Sequence, residues 1–270
     1  MKRCDELEIR SFRDVVLRHH RRYGRHDLPW RRTTDPYRIL VSELMLQQTQ
    51  VPRVVPKYLE FIARFPDVGA LARAPLRRVL AAWSGLGYNR RALYLKRAAQ
   101  AIVAGHGGGV PDSLPELVRL PGIGANTAGA ILAYAFDRPA VFIETNIRTV
   151  YADRFFPSRR TVGDRELLPL VELTLDRRHP RRWYGALMDY GAWLKAHGAG
   201  AGAGRPRQGR FQGSDRQLRG NVIRLLTVRA MSFPAIRAAV REPAARVDRI
   251  LKRLAAEGLV TARAGTYRIS

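Results

Sequence analysis

Through the first two thirds of the chain, apolar residues recur at helical spacing, and little of the stretch alternates with the period of a strand. Residues 5–23 read as an amphipathic helix with Leu7, Phe12, Val15, Val16 and Leu17 on one side. Pro29 and Trp30 open a new segment. From there to about residue 135, helical stretches alternate with short breaks. The breaks hold Pro36, Pro66 with Asp67, Pro75, Gly85 with Gly87, residues 105–109 and residues 121–124. Residues 167–175 and 183–194 supply two further helices. The pattern predicts an all-α architecture for residues 1–197.

The composition then changes. Residues 198–213 are rich in Gly and Ala and carry Arg205, Arg207 and Arg210. Such a stretch is either a flexible basic linker or a surface loop, and in both cases it separates two units. Within 214–270, Val222, Ile223, Leu225 and Leu226 mark one helix, and residues 233–240 form a second. Residues 245–257 form a third, with Val247, Ile250, Leu251 and Leu254 on one face. Residues 259–263 and 266–269, joined through Gly265, read as a hairpin. Three helices followed by a hairpin predict a small winged-helix-like α+β domain. Its third helix carries Arg246, Arg249, Lys252 and Arg253 away from the apolar face. That face is either one that enters a major groove or a solvated face on a packing module.

Charge narrows the class of partner. Lys and Arg total 48 against 23 Asp and Glu, a formal charge of +25, which suits a polyanion. An Arg-rich genome would account for part of the Arg count but not for the shortage of acids. Cys4 is the only cysteine, which excludes an intrachain disulfide and any cysteine-ligated metal or iron–sulfur site. No metal and no cofactor are expected. The N-terminus is mixed charged rather than an apolar signal, and the longest apolar run, residues 128–136, is too short to span a bilayer. A cytoplasmic monomer with no membrane partner is the expectation.

The most informative stretch is residues 117–128, Leu-Val-Arg-Leu-Pro-Gly-Ile-Gly-Ala-Asn-Thr-Ala. It has the form of a helix-hairpin-helix: one helix ends near Leu120, and another starts directly after Gly124. Gly122 and Gly124 allow a sharp turn and a close approach to a ligand. The N–H groups that open the second helix suit a phosphate oxygen. A phosphate grip fixes position on DNA without reading sequence.

With this hairpin in place, the chain resembles the helix-hairpin-helix DNA glycosylases related to endonuclease III, and among them the A/G-specific adenine glycosylases. The resemblance spans about residues 28–194. It rests on Leu28-Pro29-Trp30, on the string Ser42-Glu43-Leu44-Met45-Leu46-Gln47-Gln48-Thr49-Gln50-Val51, on Gly85-Leu86-Gly87-Tyr88, on residues 120–130 and on Met188-Asp189-Tyr190-Gly191-Ala192. It implies a six-helix barrel over about 28–138 and a second lobe from 1–27 plus 139–197. A base from a double-stranded DNA partner would be flipped into the groove between them.

Cleaving an N-glycosidic bond requires an acid for the leaving base and a negative charge for the sugar as it turns cationic. By resemblance, Glu43 is the acid, which should sit in a dry pocket with a raised pKa. The second carboxylate falls within Glu144-Thr145-Asn146-Ile147-Arg148, where the family pattern is Asp-Gly-Asn. Glu144 is one methylene longer, and a displacement of about 1 Å can cost roughly 10²-fold in rate. Family members that also nick the strand carry a Schiff-base Lys at the position of Asn126, so the chain reads as monofunctional. Trp30, Arg31, Asn126, Asn146 and Asp189 match positions near the base pocket. Gln48 and Tyr88 are the candidates to fill the hole left by the flipped base, with Thr49 beside them on the DNA side. Gly122, Gly124, Arg246 and Arg249 complete the expected DNA contacts.

The resemblance fails in two places. Lys195 stands where most of the family has the first of four cluster-binding cysteines. The C-terminal 57 or so residues are also too few for the β-rich domain with which adenine glycosylases usually recognise 8-oxoguanine. The resulting expectation is a base-excision-repair glycosylase that removes adenine mispaired with guanine or 8-oxoguanine. The alternatives are a mismatch glycosylase for thymine, uracil or hypoxanthine, and a DNA-binding protein with an inactive pocket.

Overall fold

The computed structural model describes residues 5–159, 161–198 and 209–270. In chain order these form α1 (Glu6–Tyr23), a 3₁₀ turn (Pro29–Arg31), α2 (Pro36–Leu46), α3 (Val51–Arg64), α4 (Val68–Arg73), α5 (Leu76–Ala82) and α6 (Arg90–His106). Next come α7 (Leu114–Arg119), α8 (Ala125–Phe136), α9 (Thr145–Phe155), α10 (Asp164–Thr174) and α11 (Pro180–Ala196). The C-terminal module is α12 (Asp215–Val228), β1 (Met231–Ser232), α13 (Phe233–Val240), α14 (Ala244–Ala256), β2 (Val260–Arg263) and β3 (Thr266–Ile269). The protein is thus mostly helical, with one small sheet in the order β1-β3-β2.

The helix starts follow local chemistry. The Asp5 carboxylate accepts from the Glu8 amide at 2.7 Å, Asp35 from Tyr37 at 2.8 Å and Asp67 from Ala70 at 2.7 Å. Each such cap is worth about 1 kcal/mol. Pro36 sits directly after its capping Asp, where a missing N–H costs nothing.

By packing, the chain divides into two units, neither of them one continuous stretch. One takes residues 1–43, 112–119 and 123–206, and the other 44–111, 120–122 and 207–270. In the first, Phe12 meets Tyr151, Phe155 and Trp183 edge-on, with ring centres 5.1–5.8 Å apart. Phe142 stacks on Tyr184 at 4.0 Å. The predicted apolar side of α1 needs correction: Leu7 and Val15 are exposed, and the buried line is Phe12, Val16 and His20. Spacing of exactly one four-residue step keeps these three over the core, and His20 joins them because it has a buried partner, Asp189.

In the second unit, Phe61 packs on Phe65 and Trp83 at 4.8 and 5.9 Å. The described part of the C-terminal module falls in this unit. Helix α12 packs against α5, and Arg77 Nη1 donates to the Val228 carbonyl at 3.3 Å. The predicted apolar face of the third helix is buried as expected at Val247, Ile250, Leu251 and Leu254. Met231 of β1 pairs with Tyr267 of β3, a strand too short for any periodicity to show. Arg205 and Arg207 of the expected linker lie outside the described residues. Arg210 is exposed.

Candidate active site

Among the described residues, only three Asp, Glu, Lys or Arg residues are buried: Glu43, Arg91 and Asp189. In a chain so rich in charge, burying an ionisable group carries a desolvation cost that its surroundings must offset by pairing or by a shifted pKa.

Glu43 lies on α2 between Ser42, whose hydroxyl turns back to the Ile39 carbonyl at 2.8 Å, and the core residue Leu44. Burial raises its pKa well above the ordinary carboxylate range, and the negative charge of Glu144 raises it further. The Arg31 guanidinium pulls the other way. Glu144 is the residue that caps the start of α9. Its pKa is also raised by burial, with Lys195 opposing the rise. The two predicted catalytic carboxylates therefore meet in one electrostatic site, and each has its own cation.

The chain around Glu144 is tied on both sides. The amide of Ile143 donates to Asn126 Oδ1 at 3.3 Å. Asn146 Nδ2 donates to the Met188 carbonyl at 3.3 Å, and Lys195 Nζ donates to Asn146 Oδ1 at 2.6 Å. Asn126 and Asn146 thus act here as backbone anchors for the Glu144 segment.

Asp189 sits in a buried ion cluster. It is buried and receives His20 Nδ1 at 3.0 Å, Arg25 Nε at 2.7 Å and Arg31 Nη2 at 3.5 Å. Burial alone would push its pKa up, but the His20 hydrogen bond and the charges of Arg31 and Arg25 hold it well below the ordinary carboxylate range. Its service to the site runs through Arg31. That guanidinium also donates to the Gly185 carbonyl at 3.2 Å and lies 5.8 Å from the Tyr134 ring centre. Trp30 is buried in the 3₁₀ turn beside it in sequence. Sequence reasoning missed Tyr134, a buried phenol on α8. Burial raises its pKa far above normal, opposed by Arg31 and reinforced by Glu43, Glu144 and Asp189. Its only sequence signal was a polar tip inside the apolar 128–136 run.

In the second unit, Gln48 and Tyr88 share an unusual property: both are non-glycine residues in left-handed backbone, at φ 55° and 46°. Both are exposed, and Thr49 beside Gln48 is half-buried. Strain of this kind persists only where the surroundings fix it. The fixing residue is Arg91, which sequence reasoning also missed. Its Nη1 donates to the carbonyls of Leu44, Met45 and Gln47 at 2.8, 3.0 and 2.5 Å. Its Nη2 donates to Thr49 Oγ1 and to the carbonyls of Leu86 and Gly87 at 3.0, 3.2 and 3.3 Å. One buried guanidinium, its pKa lowered by burial to about 10 and still charged at neutrality, ties the two loops together.

The hairpin divides the labour of its glycines. Gly122 has φ 80°, and a Cβ there would come within 2.5 Å of Tyr94 Cβ, so the turn itself requires glycine. Gly124 has φ −91°, caps α8, and a Cβ there would meet nothing within 4 Å. Its expected part in making the turn is therefore not needed. What remains is open space at a helix start.

Of the C-terminal basic residues, Arg246 is taken up inside the module. It bonds Asp215 at 3.0 Å, Glu242 at 2.8 Å and the Gly213 carbonyl at 2.6 Å. Arg249 is more exposed and lies 3.6 Å from Asp215. Arg246 is thus engaged within the module, whereas the Arg249 side chain is the more open of the two.

A buried carboxyl pair, a strained loop pair and a glycine hairpin leading into a helix are the parts of a DNA-repair fold. Residues 41–257 match the family described as "HhH-GPD superfamily base excision DNA repair protein", and the chain belongs to that family. It is 36% identical over 263 residues to the adenine DNA glycosylase of Mycobacterium tuberculosis, covering 87% of this chain and 86% of that one. It is 37% identical over 184 residues to the adenine DNA glycosylase of Buchnera aphidicola, and there spans only 52% of the relative's length. A solved thermostable thymine-DNA glycosylase superposes with a TM-score of 0.63 at 28% identity, covering 68% of this chain and 86% of that one.

The iron–sulfur cluster implied by the resemblance does not fit these residues. Cys4 is the only cysteine, where such a cluster needs four, and Lys195 Nζ, at the position of the first, donates to Asn146 Oδ1. No helix among the described residues is long and apolar enough to cross a membrane.

Proposed function

We propose that this chain is a monofunctional adenine DNA glycosylase that works without a cluster or metal, as a monomer on cytoplasmic DNA. It would excise adenine mispaired with guanine or 8-oxoguanine. The observation that carries the reading is that Glu43 on α2 and Glu144 at the start of α9 share one buried site, Glu43 with Arg31 as its cation and Glu144 with Lys195. The relatives named adenine DNA glycosylase support the choice of base.

In this reading, the adenine leaves its stack and Gln48 and Tyr88 occupy the gap. Glu43, whose burial and the neighbouring Glu144 charge favour the protonated form, gives its proton to a ring nitrogen of the base. The C1′–N9 bond breaks with its electron pair going to the base. Glu144, ionised, faces the positive charge that grows at C1′. Water adds to C1′, and its proton returns to the Glu43 carboxylate. Asn126 offers no amine for a Schiff base, so the product is an intact strand with an abasic site. The amides at the start of α8 take a backbone phosphate across the open space at Gly124. The β1-β3-β2 order of the C-terminal sheet supports a winged-helix reading of that module, with Arg249, Lys252 and Arg253 exposed on α14.

A second reading, removal of thymine or uracil opposite guanine, draws on the likeness to a thymine-DNA glycosylase and on Glu144 standing for the family Asp. One assay separates the readings. Duplexes holding A:oxoG, A:G, T:G, U:G and hypoxanthine:T are incubated with the protein and then treated with alkali. Alkali-dependent cleavage at A alone supports the first reading, and cleavage at T or U the second. Cleavage nowhere would leave a DNA-binding protein with an inactive pocket. Nicking without alkali would refute the monofunctional assignment.

A further inference from the structure

We propose that Lys195 is a positioning residue for glycosidic cleavage: its ammonium grips Asn146 and so fixes the Glu144 end of the carboxylate pair. The inference rests on the reading of Glu43 and Glu144 given above.

Lys195 lies in the last turn of α11, where a cation suits the helix dipole and needs no further explanation. Its direction does need one. Instead of extending into water, the half-buried side chain reaches across 49 residues of sequence to Asn146 Oδ1 at 2.6 Å. The other end of the same amide donates to the Met188 carbonyl at 3.3 Å, so α11 holds Asn146 by both its atoms. Gly191 lets the helices close here: a Cβ at that position would lie 2.9 Å from Asn146 Cα. Glu144 stands two residues before Asn146 and directly after Ile143, whose amide is held by Asn126. The carboxylate is thus mounted on a segment clamped from α8 on one side and from α11 on the other.

The clamp on the α11 side carries charge, and the chemistry needs charge there. The reaction requires one carboxyl protonated and its neighbour ionised at the same pH, although burial pushes both up. Two such groups titrate as a pair and share the first proton according to their surroundings. Glu43 on α2 faces Arg31, Glu144 and Tyr134, whereas Glu144 faces Lys195 on α11, Glu43 on α2 and Tyr134 on α8. Lys195 opposes the burial of Glu144 and steers the shared proton to Glu43. The resemblance puts a neutralised thiolate ligand of a cluster at this position, so here an element of scaffold has become an element of the site.

The test compares the full chain with Lys195→Met and Lys195→Arg, using single-turnover excision on a duplex that the native protein cleaves. With Lys195→Met, the acidic limb of the pH–rate profile should move up by about one pH unit, since a nearby opposite charge lowers a carboxyl pKa by roughly that much or more. The rate near neutrality should fall about 10- to 100-fold. Lys195→Arg should keep the limb in place and the rate within about fivefold. A limb unmoved in Lys195→Met, or a limb displaced equally in Lys195→Arg, overturns the proposal. If Lys195→Met melts early, Lys195→Gln gives the same comparison with the amide contact kept. A native protein that cleaves none of the duplexes would defeat the functional reading instead. The carboxyl ¹³C titration of Glu144 would still decide this point: its midpoint rises in Lys195→Met, or the proposal falls.

Discussion

The guanidinium of Arg91 lies 5.4 Å from the ring centre of Tyr88 and at the same time donates to Thr49 Oγ1 at 3.0 Å. Replacing it by Ala would leave the carbonyls of Leu44, Met45, Gln47, Leu86 and Gly87 without this donor. Unsatisfied buried acceptors cost about 1–3 kcal/mol each, so Arg91→Ala should lower stability by at least about 3 kcal/mol. Thermal melting should show a fall of roughly 5–10 °C. Arg91→Lys should not restore it, because an ammonium lacks the planar fork that reaches both loops. A Lys variant with native melting would refute this account.

Asp189→Asn should destabilise the first unit by about 3 kcal/mol, because Arg25 and Arg31 lose a buried counter-charge. The loss depends on pH in a defined direction. Asp189 is held below the ordinary range in the native state, so its contribution is complete above about pH 4. It fades as pH falls toward the low native pKa. Melting curves of the two proteins should therefore differ most near neutrality and converge in acid. Curves that stay parallel down to about pH 3 would contradict the ion-pair assignment.

Gly122→Ala and Gly124→Ala should part company. The first forces a left-handed φ and a collision with Tyr94, and should cost at least about 1 kcal/mol in stability. The second has ordinary φ and open space, so its melting should stay native. Fluorescence anisotropy with a duplex should instead show weaker binding, because the methyl intrudes where a phosphate would approach. Native affinity in Gly124→Ala would remove the phosphate from that place.

Glu144→Asp restores the residue type of the family pattern, yet it should slow excision by about 10²-fold. The anchors at Asn126, Met188 and Lys195 set the backbone for the longer side chain, and shortening it retracts the charge. Single-turnover rates measure this directly. A faster Asp variant would mean that the site has not adapted to Glu144.

Much of this was legible in the sequence, for identifiable reasons. Helix α14 came out with its buried face intact because Val247, Ile250, Leu251 and Leu254 follow one period with nothing to compete. Glu43 and Glu144 became candidates only through motif resemblance, since a lone Glu in a helix looks like any surface acid. Arg91 and Tyr134 were not found, because their importance lies in what they face after folding, and no spacing encodes that. The counter-ions of Arg246 were hidden for the same reason: it pairs with Asp215, 31 residues away, and a helix face read alone does not show this. Leu7 and Val15 show the reverse error, apolar residues at plausible spacing that the core never reaches.

The packing of α12 on α5 has a consequence for the gene. A stop codon just after residue 198 would spare Glu43, Glu144, both loops and the hairpin. It would still uncover α5 and remove the Val228 carbonyl that meets Arg77, in the unit that carries Gln48 and Tyr88. Loss of the last part of the reading frame would therefore weaken the unit that carries Gln48 and Tyr88, independently of any contact of the C-terminal module with DNA.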